Sequence, residues 1–314
     1  VTALSTEPVT ATLKTGSARK VRRPGDGRWA AVFLGPWAIG LVLLTIGPMM
    51  ASLYLAFTDY DLLTTPTWTG FDNFTRMFTD PLWQKAMTVT IMYVAVSVPF
   101  QLAFALMLAL ALNKGVWGVG FFRSVYYIPS LVGTSVAIAI LWRQVFGSAG
   151  LFNQGLGLLG IESTTSWIGD SSTALWTLIL LRVWEFGAPM VIFLAGLRQI
   201  PTELYESASL DGAGPWRQFW KITMPLLTPV LFFNLVLQII NAFQVFGSAY
   251  IIGGNGGGPA NSLLLYSVYL YQAAFANFEM GYAAAMAWVL LILIGVVTAL
   301  NFWVGRFWIT YSDD

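Results

Sequence analysis

Residues Tyr282–Val304 read YAAAMAWVLLILIGVVTALNFWV, a run without one acidic or basic side chain. A helix needs roughly 20 such residues to cross the hydrocarbon of a bilayer. A helix on the surface of a soluble protein would show a polar face every three or four residues, and this run has none. A helix that is apolar all round lies either in a large core or in lipid. Composition decides between the two. Of 314 residues, 57% are hydrophobic and only 10% are charged, whereas soluble domains carry about 25% charged residues. That is too few to cover a water-soluble body of this size, so the chain is read as a polytopic membrane protein.

Five further charge-poor stretches extend this reading toward the N-terminus. They run from about Trp29 to Phe57, from Thr88 to Leu112, between Arg123 and Arg143, from Ala174 to Leu197, and from Leu226 to Phe246. The segment Ser262–Ala276 is apolar but short for a crossing, and counting it as a seventh span would put Arg306 outside. It is expected to be a re-entrant or interfacial helix. The expected fold is therefore an all-α integral membrane bundle of six core transmembrane helices plus a short outer re-entrant or interfacial helix. Residues 1–28, rich in Thr, Ser, Lys and Arg, read as a solvated, disordered tail. The apolar run after them exceeds the roughly 7–15 residues of a signal-peptide core, so it is expected to be an anchor.

Lysine and arginine set the orientation. With the N-terminus inside, Lys14, Arg19, Lys20, Arg22, Arg23, Arg28, Lys114, Arg123, Arg198, Arg217, Lys221 and Arg306 all fall inside, out of 16 such residues in the chain. Both termini, including residues 309–314, are then expected in the cytoplasm and Gly253–Gly258 outside.

Absences narrow the chemistry. There is no cysteine, so no disulfide or thiolate metal site, and no histidine, the commonest general base and zinc ligand. A net charge of +1 gives no reason to expect nucleic acid. The cluster Gly253-Gly254-Asn255-Gly256-Gly257-Gly258 lacks the lysine of a phosphate-binding loop, and no such motif occurs elsewhere. It reads as a flexible turn.

The longest informative loop is Gln199–Lys221, QIPTELYESASLDGAGPWRQFWK. Pro201 should end the fourth span, and Thr202 can cap a short helix with Glu203 at its positive end. Leu204, Tyr205 and Ala208 would share one face of it. Gly212 permits a sharp turn, and Gly214-Pro215 is a good start for a second short helix carrying Trp216, Phe219 and Trp220. Pro225 and Pro229 mark the entry to the fifth span. The two apolar faces need cover from lipid headgroups, the bundle or a partner protein.

The stretch Glu206-Ser207-Ala208, three residues, Gly212, nine residues, Ile222, one residue, Met224-Pro225 resembles the EAA loop of ATP-binding-cassette import permeases, with Ser207 and Met224 as departures from that family's pattern. The extended match YESASLDGAGPWRQFWKITMPLLTP is similar to the carbohydrate-uptake branch. Further similarities to that branch are Gly70-Phe71-Asp72-Asn73-Phe74 with Phe78-Thr79-Asp80-Pro81, and Phe193-Leu194-Ala195-Gly196-Leu197 before Ile200-Pro201. Gly256-Gly257-Gly258-Pro259 and Gly281-Tyr282-Ala283-Ala284-Ala285 add to them. The resemblance covers about residues 29–308, which it marks as a permease domain with a coupling loop at 199–225.

The resemblance implies that Tyr205, Glu206, Ser207, Ala208, Asp211, Gly212 and Pro225 belong to a loop that docks on an ATPase subunit. It further implies a second homologous permease subunit, two ATPase subunits that hold the ATP and Mg, an extracytoplasmic solute-binding protein, and a place in the bacterial cytoplasmic membrane among its lipids. No cofactor is expected in this chain, and no enzymatic activity. Sugars, oligosaccharides or glycerol-phosphate-type solutes are the implied cargo. An ion- or proton-coupled secondary transporter is the alternative, and it would need intramembrane carboxylates, of which only Glu185 is available.

Two sets of polar residues within spans are candidates for a solute path. Arg182 and Glu185 stand one helical turn apart, where charge must be paired or face water. They either pin the helix or line the path. Asn234, Gln238, Asn241 and Ser248 fall in a strip about 80° wide if the fifth span is one helix. An amide strip of this kind is either interhelical glue or the lining for a polar, uncharged solute.

Overall fold

In the computed structural model, residues 26–115, 118–254 and 256–307 are described; the expected N-terminal tail up to residue 25 and the C-terminal residues 309–314 lie outside them. The chain divides into two compact units, residues 1–51 and 52–314. The described part of the first holds α1 (Asp26–Gly40), a π-helical turn (Leu41–Ile46) and the start of α2 (Gly47–Leu55), whose last four residues fall in the second. The Gly47 N–H bonds back to the Val42 carbonyl, five residues away, and this wider turn precedes Pro48, whose nitrogen has no proton to give. Apolar side chains such as Phe33, Trp37 and Leu44 are exposed around it, as on a helix that meets hydrocarbon.

After α2 the second unit continues with a two-residue antiparallel pair, β1 (Thr58–Asp59) and β2 (Thr67–Trp68), and a short helix α3 (Asp72–Thr79). Its mast is α4 (Pro81–Asn113), 33 residues capped by the Asp80 side chain, which accepts from the Leu82 N–H. Pro81 sits at the first helical position, where a missing N–H costs nothing. Along α4 the fully buried residues include Ala86, Ala105 and Ala109, small side chains that let neighbouring backbones approach.

Packed on α4 are α8 (Ala174–Trp184), α9 (Gly187–Leu197), α12 (Met224–Phe243) and α14 (Tyr266–Tyr271). The approach of α9 to α12 is close enough that a β-carbon at Gly196 would sit 2.8 Å from the Val230 side chain. The last helix is α15 (Met280–Gly305), which holds the run that opened the sequence reading.

Among the described residues, four helical stretches are long and apolar enough to cross a membrane: Val32–Leu55, Pro81–Asn113, Pro215–Phe243 and Met280–Gly305. The other two expected spans are bent pairs. The third, expected between Arg123 and Arg143, is α5 (Val119–Val132) and α6 (Val136–Val145), which turn by 94°; the short α7 (Leu151–Leu158) follows. The turn follows Pro129, and Ser135 restarts the chain as a cap accepting from the Ile138 N–H. The fourth is α8 and α9, bent by 42°. A count of six holds only if each bent pair is one span.

The fifth span is corrected at both ends. The second short helix expected in the loop is not separate: α11 (Pro215–Gln218), a π-helical segment (Phe219–Thr223) and α12 form one continuous stretch of 29 residues. In the π segment the Met224 N–H reaches the Phe219 carbonyl, a widened turn that accommodates Pro225 without ending the helix. At its far end the helix stops at Phe243, and the chain restarts as α13 (Gly247–Gly253). The short segment expected at Ser262–Ala276 is helical only from Tyr266, as α14 followed by a π-helical Gln272–Ala276.

Candidate functional site

In the 199–225 loop, α10 (Thr202–Leu210) follows Pro201, which itself holds the position before the helix. Thr202 is therefore the first helical residue and makes no side-chain cap, contrary to expectation, since a capping side chain must sit one residue earlier in extended backbone. The helix ends in a Schellman pattern: the Ala213 N–H reaches the Ala208 carbonyl at 2.8 Å and the Gly212 N–H reaches the Ser209 carbonyl at 3.0 Å. Gly212 has φ of +78°, and Asp211 stands just before it as the last half-helical residue.

Tyr205 and Ala208 are half-buried, while Leu204, one turn before Ala208, is exposed. The Tyr205 hydroxyl pairs with the Thr223 hydroxyl at 2.9 Å. The Gln218 side-chain amide donates to Ser209 Oγ at 2.9 Å and to the Ala213 carbonyl at 3.0 Å. These bonds tie α10 to the start of the 29-residue helix. Glu206 and Ser207 point outward, as does Leu210 at 90% exposure, and Trp216 beyond the turn is 75% exposed. Such apolar exposure on a loop marks a contact surface.

The second place is a cavity of about 410 Å³ where α4, α5, α8, α9 and α12 converge. Arg182 and Glu185 lie on its wall, each only 8% exposed. One Arg182 Nη donates to the Glu185 carboxylate at 3.2 Å and the other to Gln238 Oε1 at 2.7 Å. The pair is internally neutralised, which is what makes burial of two charges tolerable. Gln238 and Asn241 line the cavity, and so does Ser248, although it belongs to α13 and not to the helix of the amides.

Asn234 is absent from the wall. It is fully buried, with its amide 3.5 Å from the Pro189 carbonyl on α9. The expected strip thus divides: its first member contacts a neighbouring helix, and the others reach the cavity.

Tyr93, Gln101, Ser130, Thr134 and Gln244 also line this cavity and were not singled out in the sequence. A signal existed for Gln101, a lone amide in the middle of the apolar α4. None existed for Ser130, which is one hydroxyl among many until α9 is placed beside it.

A third cluster joins α3, α4, α14 and α15. Arg76 makes a two-oxygen ion pair with Glu279 at 2.8 and 3.0 Å and stacks over the Tyr282 ring. The Asp80 carboxylate accepts from the hydroxyls of Tyr269 and Tyr282. Burial opposes ionisation of Asp80, but those two donors and the Leu82 and Trp83 N–H groups outweigh it and hold the carboxyl below its ordinary pKa.

Residues 83–309 match the family model described as binding-protein-dependent transport system inner membrane component. The chain is 48% identical over 297 residues to the probable ABC transporter permease protein YesP of Bacillus subtilis, covering 94% of this chain and 96% of that protein. It is 32% identical to the lactose transport system permease protein LacF of Rhizobium radiobacter, covering 88% and 93%. In fold it matches a chain of a bacterial alginate ABC transporter solved in complex with an alginate pentasaccharide-bound periplasmic protein, with a TM-score of 0.74, 22% identity and coverage of 88% and 93%.

Proposed function

The chain belongs to the family of binding-protein-dependent transport system inner membrane components, and from that membership we propose that it is the pore subunit of an ATP-driven sugar importer. Relatives named for lactose uptake support the carbohydrate class. The periplasmic protein in the related alginate complex supports a solute-binding partner. ATP hydrolysis belongs to separate subunits, and a second permease subunit completes the pore. Both termini lie in the cytoplasm.

One observation carries the mechanism. The 199–225 loop is bonded through Tyr205, Thr223 and Gln218 to a helix that continues unbroken to Gln238 and Asn241 on the cavity wall. Movement of α10 by an ATPase subunit is passed along α12 to the cavity, and alternating access follows from that displacement. Glu206 and Leu210, one helical turn apart and both exposed, form the surface that the ATPase engages. In the cavity, the amides of Gln238 and Asn241 and the hydroxyl of Ser248 suit the hydroxyls of an uncharged polar solute, while Arg182 is occupied by Glu185 and Gln238.

Gly212→Val and Glu206→Lys test the coupling. A β-carbon at Gly212 meets nothing within 4 Å, so valine costs only the backbone strain of a positive φ, about 1–2 kcal/mol. Both variants should insert and fold, yet weaken co-purification of the ATPase subunit or uncouple its solute-stimulated turnover from uptake in proteoliposomes. Normal association, stimulation and uptake in both would end the coupling assignment.

A further inference from the structure

The break in the fourth span has a specific cause. In a regular helix the Glu185 carbonyl would accept from the N–H of residue 189, but residue 189 is proline and has no N–H. Its ring also crowds that same carbonyl, and the helix bends by 42°. A carbonyl freed inside a membrane bundle must find another donor. Here it finds two, both from other spans: Gln101 Nε2 of α4 at 3.0 Å and Ser130 Oγ of α5 at 2.9 Å.

Ser130 also accepts from the Ala188 N–H at 2.8 Å, the group that regular geometry would have sent to Trp184. One hydroxyl therefore bridges both sides of the break, standing in for a missing helical hydrogen bond. The fit around it is tight. A β-carbon at Gly187 would lie 2.4 Å from the Tyr126 carbonyl, and one at Gly133 would lie 2.5 Å from the Glu185 side chain. The corner of α5 and α6 and the break of α8 and α9 thus meet at one point, against the cavity wall.

We propose that Ser130 is a positioning residue for the cavity, setting the break in the fourth span so that the Glu185 carboxylate neutralises Arg182 and Arg182 reaches Gln238. Ser130 does this from the α5 corner, so the two bent spans share one joint. The proposal is independent of which solute the cavity takes. It also accounts for glycine at positions 133 and 187, where any side chain would force the two elements apart.

The test reads electrostatics in the cavity. Gln244→Cys places the chain's single thiol on the cavity wall. The ratio of its labelling rates by an anionic and a cationic methanethiosulfonate reagent is measured on the purified complex. A ratio cancels changes in general accessibility, so loosened packing alone does not move it.

Ser130→Ala should shift the ratio by about fivefold or more as the charge pair moves. Ser130→Thr keeps the hydroxyl that bonds the Glu185 carbonyl and the Ala188 N–H and should hold the ratio within about twofold of its starting value. An unchanged ratio in Ser130→Ala, or an equal shift in Ser130→Thr, overturns the proposal. If Ser130→Ala fails to assemble, Ser130→Thr must assemble with the original ratio, and its failure to do so is equally fatal.

Discussion

Asn234 and Gln238 differ by one helical turn on α12 and have the same functional group, yet they meet different surroundings. Asn234 is enclosed against α9 beside Pro189, and its Oδ1 has no hydrogen-bond partner among the described residues. Gln238 binds Arg182 and opens on the cavity. Leucine at the two positions should therefore have separable effects. Gln238→Leu and Asn241→Leu are expected to reduce uptake or alter solute preference while the complex still assembles. Asn234→Leu should leave preference intact and act on assembly or thermal stability. Uptake across a sugar panel, alongside the yield of assembled complex, distinguishes them, and identical profiles for all three would remove the cavity from the solute path.

At the scale of elements, the cluster of Arg76, Asp80, Tyr269, Tyr282 and Glu279 ties α3 and the start of α4 to α14 and α15. Asp80 is held below its ordinary pKa in the fold, so its contribution is present above the usual carboxylate range and is lost as pH falls through its lowered value. Hydrogen-exchange protection at the first turn of α4 and along α14, corrected for the intrinsic slowing of amide exchange in acid, should therefore fall below about pH 4. In Asp80→Asn protection should be lower already at neutral pH, with little further dependence on acid. An acid profile unchanged by Asp80→Asn would show that this carboxylate does not hold the junction.

The same scale shows what the sequence made legible. Helix identity followed from uncharged length, and the turn at Gly212 from glycine chemistry. The breaks did not follow, because a proline inside an apolar run can bend a span, as Pro189 does, or be absorbed by a π turn, as Pro225 is. At Pro189 the freed carbonyl takes donors from neighbouring spans, Gln101 and Ser130, which no reading of one segment contains. The amide strip read from spacing assumed one helix running through Ser248, and the helix's end at Phe243 left Ser248 on α13. The cavity still gathers Gln238, Asn241 and Ser248 with Arg182 and Glu185, because α13 turns back toward the same wall.

For the whole molecule, the family, the bundle of apolar helices and the loop on a continuous helix are consistent with one importer subunit. Its sidedness rests on the placement of twelve lysines and arginines named from the sequence. Ser312→Cys in this cysteine-free chain should resist an impermeant thiol reagent added from outside, while Gly256→Cys should react. Reaction at 312 from outside would revive a seventh crossing.

That ATP drives solute through this chain can be read from uptake of a labelled sugar into proteoliposomes holding the permease pair, the ATPase subunits and the binding protein. Uptake is expected only with enclosed ATP and binding protein present, and none from an imposed proton or sodium gradient alone. Uptake that follows the ion gradient and ignores ATP would contradict it.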